Sequence, residues 1–232
     1  MKSLLTIILI VFSLISFGQR RVNQNLAGFD KDKRLHFGFL LSINYLKNDL
    51  FLNNTLYKED TIYALNIKPS PGFNLGIVTD FHLGSLWDFR LLPSLIFGQR
   101  DYEYLLNTED GLFVDKRTSE STYLSFPLEL KYKAERYGNW RPFLTSGGFF
   151  AYDMASQKNT EEGVAVVRLK SWDMGYSVGF GFEFFLEYFK FATQLKWDKG
   201  VRNLLINDNT PFTDIVDGAR SNTFTISFTF EG

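Results

Sequence analysis

Cysteine is absent from this 232-residue chain. Its absence excludes a disulfide framework, a thiolate metal site, a cysteine nucleophile and a cysteine-borne lipid anchor. Histidine is nearly absent too, since His36 and His82 are the only two, which is too few for a multi-histidine metal centre. An excess of charge of one sign is missing as well: Lys+Arg 25 against Asp+Glu 26 leaves a net charge of -1. A chain without a basic surplus lacks the electrostatic footprint of a nucleic-acid binder, so no nucleic acid is expected among its partners. What is abundant is aromatic surface, with 25 Phe, 11 Tyr and 4 Trp. Such a load must either fill a large core or face something other than water. The length suits one domain.

Residues 1–18 read as a secretory signal peptide: Lys2 supplies the positive start, Leu4 to Phe17 is almost wholly apolar, and Ser16-Phe17-Gly18 offers small-x-small before Gln19. The run is shorter than the ~20 residues that a spanning helix needs, which disfavours a membrane anchor. Charge or glycine interrupts every later apolar stretch, so helical membrane topology is excluded. Export is therefore expected, with residues 19–33 as a short periplasmic segment and residues 34–232 as the folded domain.

That domain alternates with period two, the signature of strands with one apolar face. Phe37, Phe39, Leu41, Ile43 and Tyr45 oppose His36, Gly38, Ser42 and Asn44. Phe73, Leu75, Ile77, Phe81 and Leu83 oppose Asn74, Gly76, Asp80 and His82. Trp87, Phe89, Leu91, Leu95 and Phe97 oppose Asp88, Arg90, Ser94 and Arg100, although Leu92 and Ile96 blur the contrast. A fourth strand runs Leu124 to Tyr132, and a fifth, Trp140 to Tyr152, is mixed in parity around Gly147 and Gly148. The sixth is the clearest, Trp172 to Phe184 alternating with Gly175, Ser177, Gly179, Gly181 and Glu183. Phe189 to Trp197 and Phe224 to Phe230 complete eight candidate strands.

Connections alternate long and short without exception: long at 46–69, 100–121, 154–170 and 198–220, short at 83–86, 134–139 and 186–188. The long ones hold polar, turn-prone stretches such as Asn107-Thr108-Glu109-Asp110-Gly111 and Asn207-Asp208-Asn209-Thr210-Pro211, and read as solvated loops. A soluble sandwich or lipocalin-like barrel would bury the apolar face, whereas an outer-membrane barrel turns it outward. Three features favour the membrane barrel. Gly175, Gly179 and Gly181 suit a cramped interior. Tyr45, Trp172 and Trp197 sit at the long-loop ends of their strands and Trp87 and Tyr132 at the short-turn ends, as two interfacial belts would. Finally, Phe224 to Phe230 is an alternating closing strand ending in an aromatic residue, although Glu231 and Gly232 follow it. The expected fold is all-β: an eight-stranded antiparallel up-and-down transmembrane β-barrel with long external loops and short periplasmic turns.

The inward face gathers His36, Asp80, His82, Asp88, Arg90, Arg100, Glu129, Lys131, Asp173, Glu183 and Lys196. A hydrolase using Ser42 or Ser177 with a histidine and a carboxylate is conceivable, but no nucleophile–base spacing is visible. Lumen salt bridges account for the same residues, because side chains fill an eight-stranded barrel. Asp101 with Glu103, and Glu161 with Glu162, read as solvated charges, and no segment has the oxygen-dense spacing of a calcium loop. No catalytic, cofactor-binding or metal-ligating residue is therefore assigned, no cofactor is expected, and open diffusion through eight strands is disfavoured. Leu50, Phe51, Leu52 and Leu56 in the first long connection suggest either a partner interface or a loop folded over the barrel mouth.

Several segments resemble the outer-membrane β-barrel proteins widespread in Bacteroidetes. They include Tyr123-Leu124-Ser125-Phe126-Pro127-Leu128-Glu129-Leu130-Lys131-Tyr132, Arg141 to Gly148, and Gly175 to Gly181. Asn25-Leu26-Ala27-Gly28-Phe29-Asp30, Lys33-Arg34-Leu35-His36-Phe37-Gly38-Phe39 and Lys196 to Leu204 more specifically resemble the PorT family, called SprT in gliding bacteria. The resemblance implies a non-enzymatic part in type IX secretion, and in gliding motility where present. It also implies outer-membrane lipid and other type IX components as partners. The alternative is a generic outer-membrane barrel with a structural, adhesive or ligand-binding role.

Overall fold

The computed structural model describes residues 24–29, 34–52, 62–108, 111–154, 169–206 and 216–232. The expected signal peptide, residues 1–18, lies outside them. Ten strand segments follow one another: β1 (Leu35–Leu52), β2 (Ile62–Pro69), β3 (Pro71–His82), β4 (Trp87–Leu91), β5 (Ser94–Thr108), β6 (Gly111–Lys133), β7 (Trp140–Asp153), β8 (Trp172–Phe185), β9 (Lys190–Gly200) and β10 (Val216–Glu231). They make eight staves, because two staves are interrupted. β2 and β3 flank Ser70 and both pair with β5. β4 and β5 flank Leu92 and Pro93, and both pair with β3 on one side and β6 on the other.

All pairings are antiparallel, and β1 pairs with both β10 and β3, which closes the sheet into an up-and-down barrel of eight staves. Closure leaves no edge in the barrel wall, as hydrocarbon requires. At the β4–β5 break the ladder is handed on rather than lost. Ile77 N donates to Pro93 O at 3.0 Å and Leu92 N to Pro127 O at 3.1 Å. Proline has no N–H to offer a ladder, so Pro93 belongs at such a break.

The burial pattern settles which way the barrel faces. Along β1, Phe37, Phe39, Leu41 and Ile43 are exposed, Phe39 at 71%, while Ser42, Asn44 and Asn48 between them are buried. Apolar side chains outward and polar side chains inward is the inverse of a soluble barrel and the pattern of a membrane one. No helix among the described residues is long and apolar enough to cross a membrane; the chain crosses with strands.

The mixed parity of the fifth stave has a local cause. Phe149 turns inward and packs against a small cluster of Leu46, Tyr123 and Ala151, while Phe150 is exposed outward. Likewise Leu92 faces the interior with Leu40 and Val78. The expectation of purely solvated long loops is corrected. β1 and β10 stay paired from Leu46 with Thr223 out to Leu52 with Val216. β5 and β6 run on as a hairpin to Thr108 and Gly111, with β2 added against β5. Beyond the lipid a strand need not alternate, so polar residues there read as loop.

Candidate functional site: the lumen and its short-turn mouth

Every inward residue named from the sequence is buried: His36, Asp80, His82, Asp88, Arg90, Arg100, Glu129, Lys131, Asp173, Glu183 and Lys196. Most of them join one ion-pair network in the half of the lumen nearer the short turns. Asp80 lies 3.4 Å from Arg90, 3.4 Å from Lys131 and 3.7 Å from Lys190. Glu183 is shared by Lys131, Arg141 and Lys190, the last at 3.2 Å. Asp88 takes Lys133 at 2.5 Å and His82 at 2.6 Å. Higher up, Lys196 bridges Glu129 at 3.3 Å and Asp198 at 3.6 Å, and Gln194 donates to Thr145 at 2.8 Å.

Lys190 and Asp198 lie opposite the apolar face of their strand by its alternation, whereas the inward set read from the sequence lacks Lys133, Arg141 and Glu231. Parity could have found them. Glu231 continues Thr225, Ser227 and Thr229, all buried, and Lys133 follows Lys131 by two. Glu231 accepts from Arg90 at 2.9 Å and pairs with Lys190 at 2.7 Å. The two residues that follow the aromatic end of the closing strand are thus not a defect of it, because Glu231 is a lumen ligand. Within these pairs six carboxylates (Asp80, Asp88, Glu129, Glu183, Asp198, Glu231) face six cations (Arg90, Lys131, Lys133, Arg141, Lys190, Lys196). Balance of this kind is what makes buried charge tolerable, since an unpaired ion in a low-dielectric interior costs several kcal/mol.

Glycines make the room. A Cβ on Gly179 would stand 2.6 Å from Thr145 Oγ1 and 2.7 Å from Gln194 Nε2, and one on Gly181 would strike the Phe143 ring. Lys131 Nζ lies 4.6 Å from the centre of that ring. The alternating glycines of β8 therefore let neighbouring staves push their side chains across the lumen.

Asp80, His82 and Asp88 bring potential ligand atoms within 4.8 Å of one another. They make a poor metal site: their carboxylates already face Arg90, Lys131, Lys133 and Lys190, which supply the positive charge that a metal would bring. Nor does a hydrolytic triad form among the described residues. Ser42 donates to Ser227 at 3.0 Å, and it stands six residues along β1 from His36, roughly 20 Å at strand rise. Toward the long-loop end the lumen holds a cavity of about 50 Å³ among Ser42, Ser94, Ser125, Thr225 and Ser227. That is space for a few waters and well short of the ~300 Å³ of a small-molecule pocket.

The short-turn mouth is covered from within the chain. Asn25 N donates to Asn139 Oδ1 at 2.9 Å and Asn25 Nδ2 to Phe185 O at 3.1 Å. Arg136 donates to Asn25 O, to Leu26 O at 3.4 Å and to Asn139 Oδ1 at 2.9 Å. Phe29 stacks on His36 with ring centres 3.9 Å apart and meets Phe185 edge-on at 6.4 Å. Lys190 Nζ lies 4.9 Å from the Phe29 ring centre. Residues 24–29, within the segment expected to lie in the periplasm, thus form a cap on the ion-pair network. Arg136 sits in the turn where Gly138 adopts a φ of 60°, a left-handed conformation that glycine adopts without strain.

The sequence model for the outer membrane protein beta-barrel domain matches residues 17–205, most of the chain. The chain belongs to this outer-membrane β-barrel family. Among solved structures, OprG from Pseudomonas aeruginosa is 15% identical, covering 85% of this chain and 94% of OprG, with a TM-score of 0.45. Neisserial surface protein A is 11% identical over 84% of this chain and 96% of its own, with a TM-score of 0.41. Ail of Yersinia pestis is 13% identical over 86% and 100%, with a TM-score of 0.39. No curated protein sequence matches the chain.

As a member of the outer-membrane β-barrel family the chain resides in the outer membrane, with lipid around its apolar face. For the first long connection, read as either a partner interface or a loop folded over the barrel mouth, the structure describes only the two ends. Leu50 and Phe51 belong to β1, paired with Ala219 and Gly218, and Arg220 covers the Phe51 ring at 5.2 Å. Leu56, Glu161 and Glu162 lie outside the described residues.

Proposed function

We propose that this chain is a non-enzymatic component of the type IX protein secretion system, of the PorT/SprT kind, which supports export of cargo across the outer membrane and serves gliding motility where that machinery is present. One observation carries the reading. Of the three segments with the most specific resemblance, the described parts of the first two, residues 25–29 and 34–39, meet at the short-turn mouth, where Phe29 stacks on His36 at 3.9 Å. A signature that assembles into one surface toward the periplasm lies where a machine reaching across that compartment would make contact. The charge-filled lumen supports an accessory part rather than a conduit, since cargo could not pass without dismantling the ion pairs. Its partners are outer-membrane lipid and other type IX components, and its chemistry needs no cofactor.

A clean deletion in the native host, compared with a complemented strain, tests this. The reading expects type IX cargo to be retained unprocessed in the deletion strain and returned to the medium by the complementing copy. Normal export without the gene would overturn it and leave a barrel with a structural, adhesive or ligand-binding role.

A further inference from the structure

The lipid-facing wall is not smooth. Between β6, β7 and β8 it is recessed into a groove of about 540 Å³ lined by Phe126, Gly148, Phe150, Met174, Tyr176 and Val201. Gly148 forms its floor, for a Cβ there would find only Gly175 O within 4 Å, at 3.3 Å. Phe150, Met174 and Tyr176 stand around it, each more than 40% exposed.

At its long-loop end the groove changes character. Trp172 lies on the same outward face of β8, two residues before Met174, and its ring is 6.3 Å from that of Phe150. The guanidinium carbon of Arg202, the residue after Val201, lies 3.0 Å from the Trp172 ring centre. Lys170 Nζ, in the adjacent connection, donates to Asn203 O at 3.0 Å. Neither cation forms a salt bridge among the described residues; the charge of Arg202 reaches the Asp173 carboxylate, which with Asp153 is buried toward the lumen.

We propose that this groove binds one acyl chain of an anionic, phosphate-bearing lipid whose phosphate is held by Arg202 and Lys170. In a bilayer a chain gains no hydrophobic energy by leaving its neighbours for a protein groove, because lipid tails are as apolar as the wall. The groove fixes where the chain lies, and the two cations choose the headgroup. Arginine suits this task, since its planar fork of donors matches a phosphate and its face stacks on an aromatic ring. Trp172 both anchors the interface and holds the guanidinium in place.

Trp172 also reports on the site. In a W87F/W140F/W197F background it is the sole tryptophan, and bromine atoms on a lipid chain quench only nearby indoles. The barrel is refolded into phosphatidylcholine vesicles carrying a small fraction of brominated phosphatidylglycerol or of brominated phosphatidylcholine. The expected result is Trp172 quenching roughly threefold to fivefold stronger per anionic lipid, as two partly exposed ion pairs would give. The preference falls to parity in R202Q/K170Q, and G148L weakens quenching by filling the groove. Equal quenching by the two lipids in the unmodified site overturns the proposal, and that comparison depends on no site variant folding. An undiminished preference in folded R202Q/K170Q, its fold checked by heat-modifiable gel mobility, overturns it as well.

Discussion

Glu231 Oε1 accepts a hydrogen bond from Arg90 Nη2 at 2.9 Å, which ties the penultimate residue of the chain across the lumen to β4. Both side chains are wholly buried. Neutralising the acid leaves Arg90 and Lys190 sharing Asp80 and Glu183, with one buried positive charge in excess. E231Q is expected to destabilise the folded barrel by about 3–5 kcal/mol, the usual cost of breaking a buried pair from one side. Urea unfolding in lipid vesicles checks this, with E231D, which retains the charge, expected to lose much less.

Gly181 faces Phe143 across adjacent staves, with no space for a side chain between them. G181V is expected to cost about 1–3 kcal/mol through overpacking. F143A in the same chain should return only the part of that loss due to the ring, since the Thr193 carbonyl, which a Cβ there would also strike, stays in place. Unfolding midpoints of the single and double variants measure the coupling.

Arg136 holds residues 25 and 26 through their carbonyls, and Phe29 completes the cap on His36. R136A and F29A are expected to free the cap while leaving the barrel folded. A spin label on a cysteine introduced at Ala27, in a chain with no competing cysteine, should gain mobility in either variant. Unchanged mobility in both would place the anchoring elsewhere.

In the extended hairpin beyond the barrel wall, hydrogen bonds from Lys68 and Lys116 hold the Glu103 carboxyl below its usual range. A depressed value means that the charged form is favoured by folding. The contribution is therefore present above the ordinary glutamate pKa of about 4.3 and is lost as pH falls through the lowered one. Amide exchange across β2, corrected for intrinsic rates, should speed up on acidification in the unmodified chain. E103Q should remove that dependence.

How far the sequence could be read follows from where lipid imposes a rule. Between the aromatic belts every outward position must be apolar, so Phe37 to Tyr45 or Trp172 to Phe184 reveal strand, register and face together. Inward charges such as Asp80 and Glu129 follow from parity alone. Outside the lipid the rule lapses, and residues 46–52 and 100–108 look like loop although they continue their strands. Inside, Phe149 and Leu92 break alternation because they pack in small apolar clusters within the lumen. Charges at strand ends, Lys133 and Glu231 above all, escape because the pattern is sought only as far as its last aromatic residue. Docking of Asn25 on Asn139 and Phe185 joins residues more than a hundred positions apart, and no local pattern carries that information.

The claim on which the rest depends is that charge pairs and a cap close this barrel. Single-channel recording of the refolded protein in a planar bilayer at neutral pH tests it most directly. The account predicts no steady conductance in the unmodified chain, and none in F29A, where the ion pairs still fill the lumen. A stable ohmic conductance in the unmodified chain would contradict it.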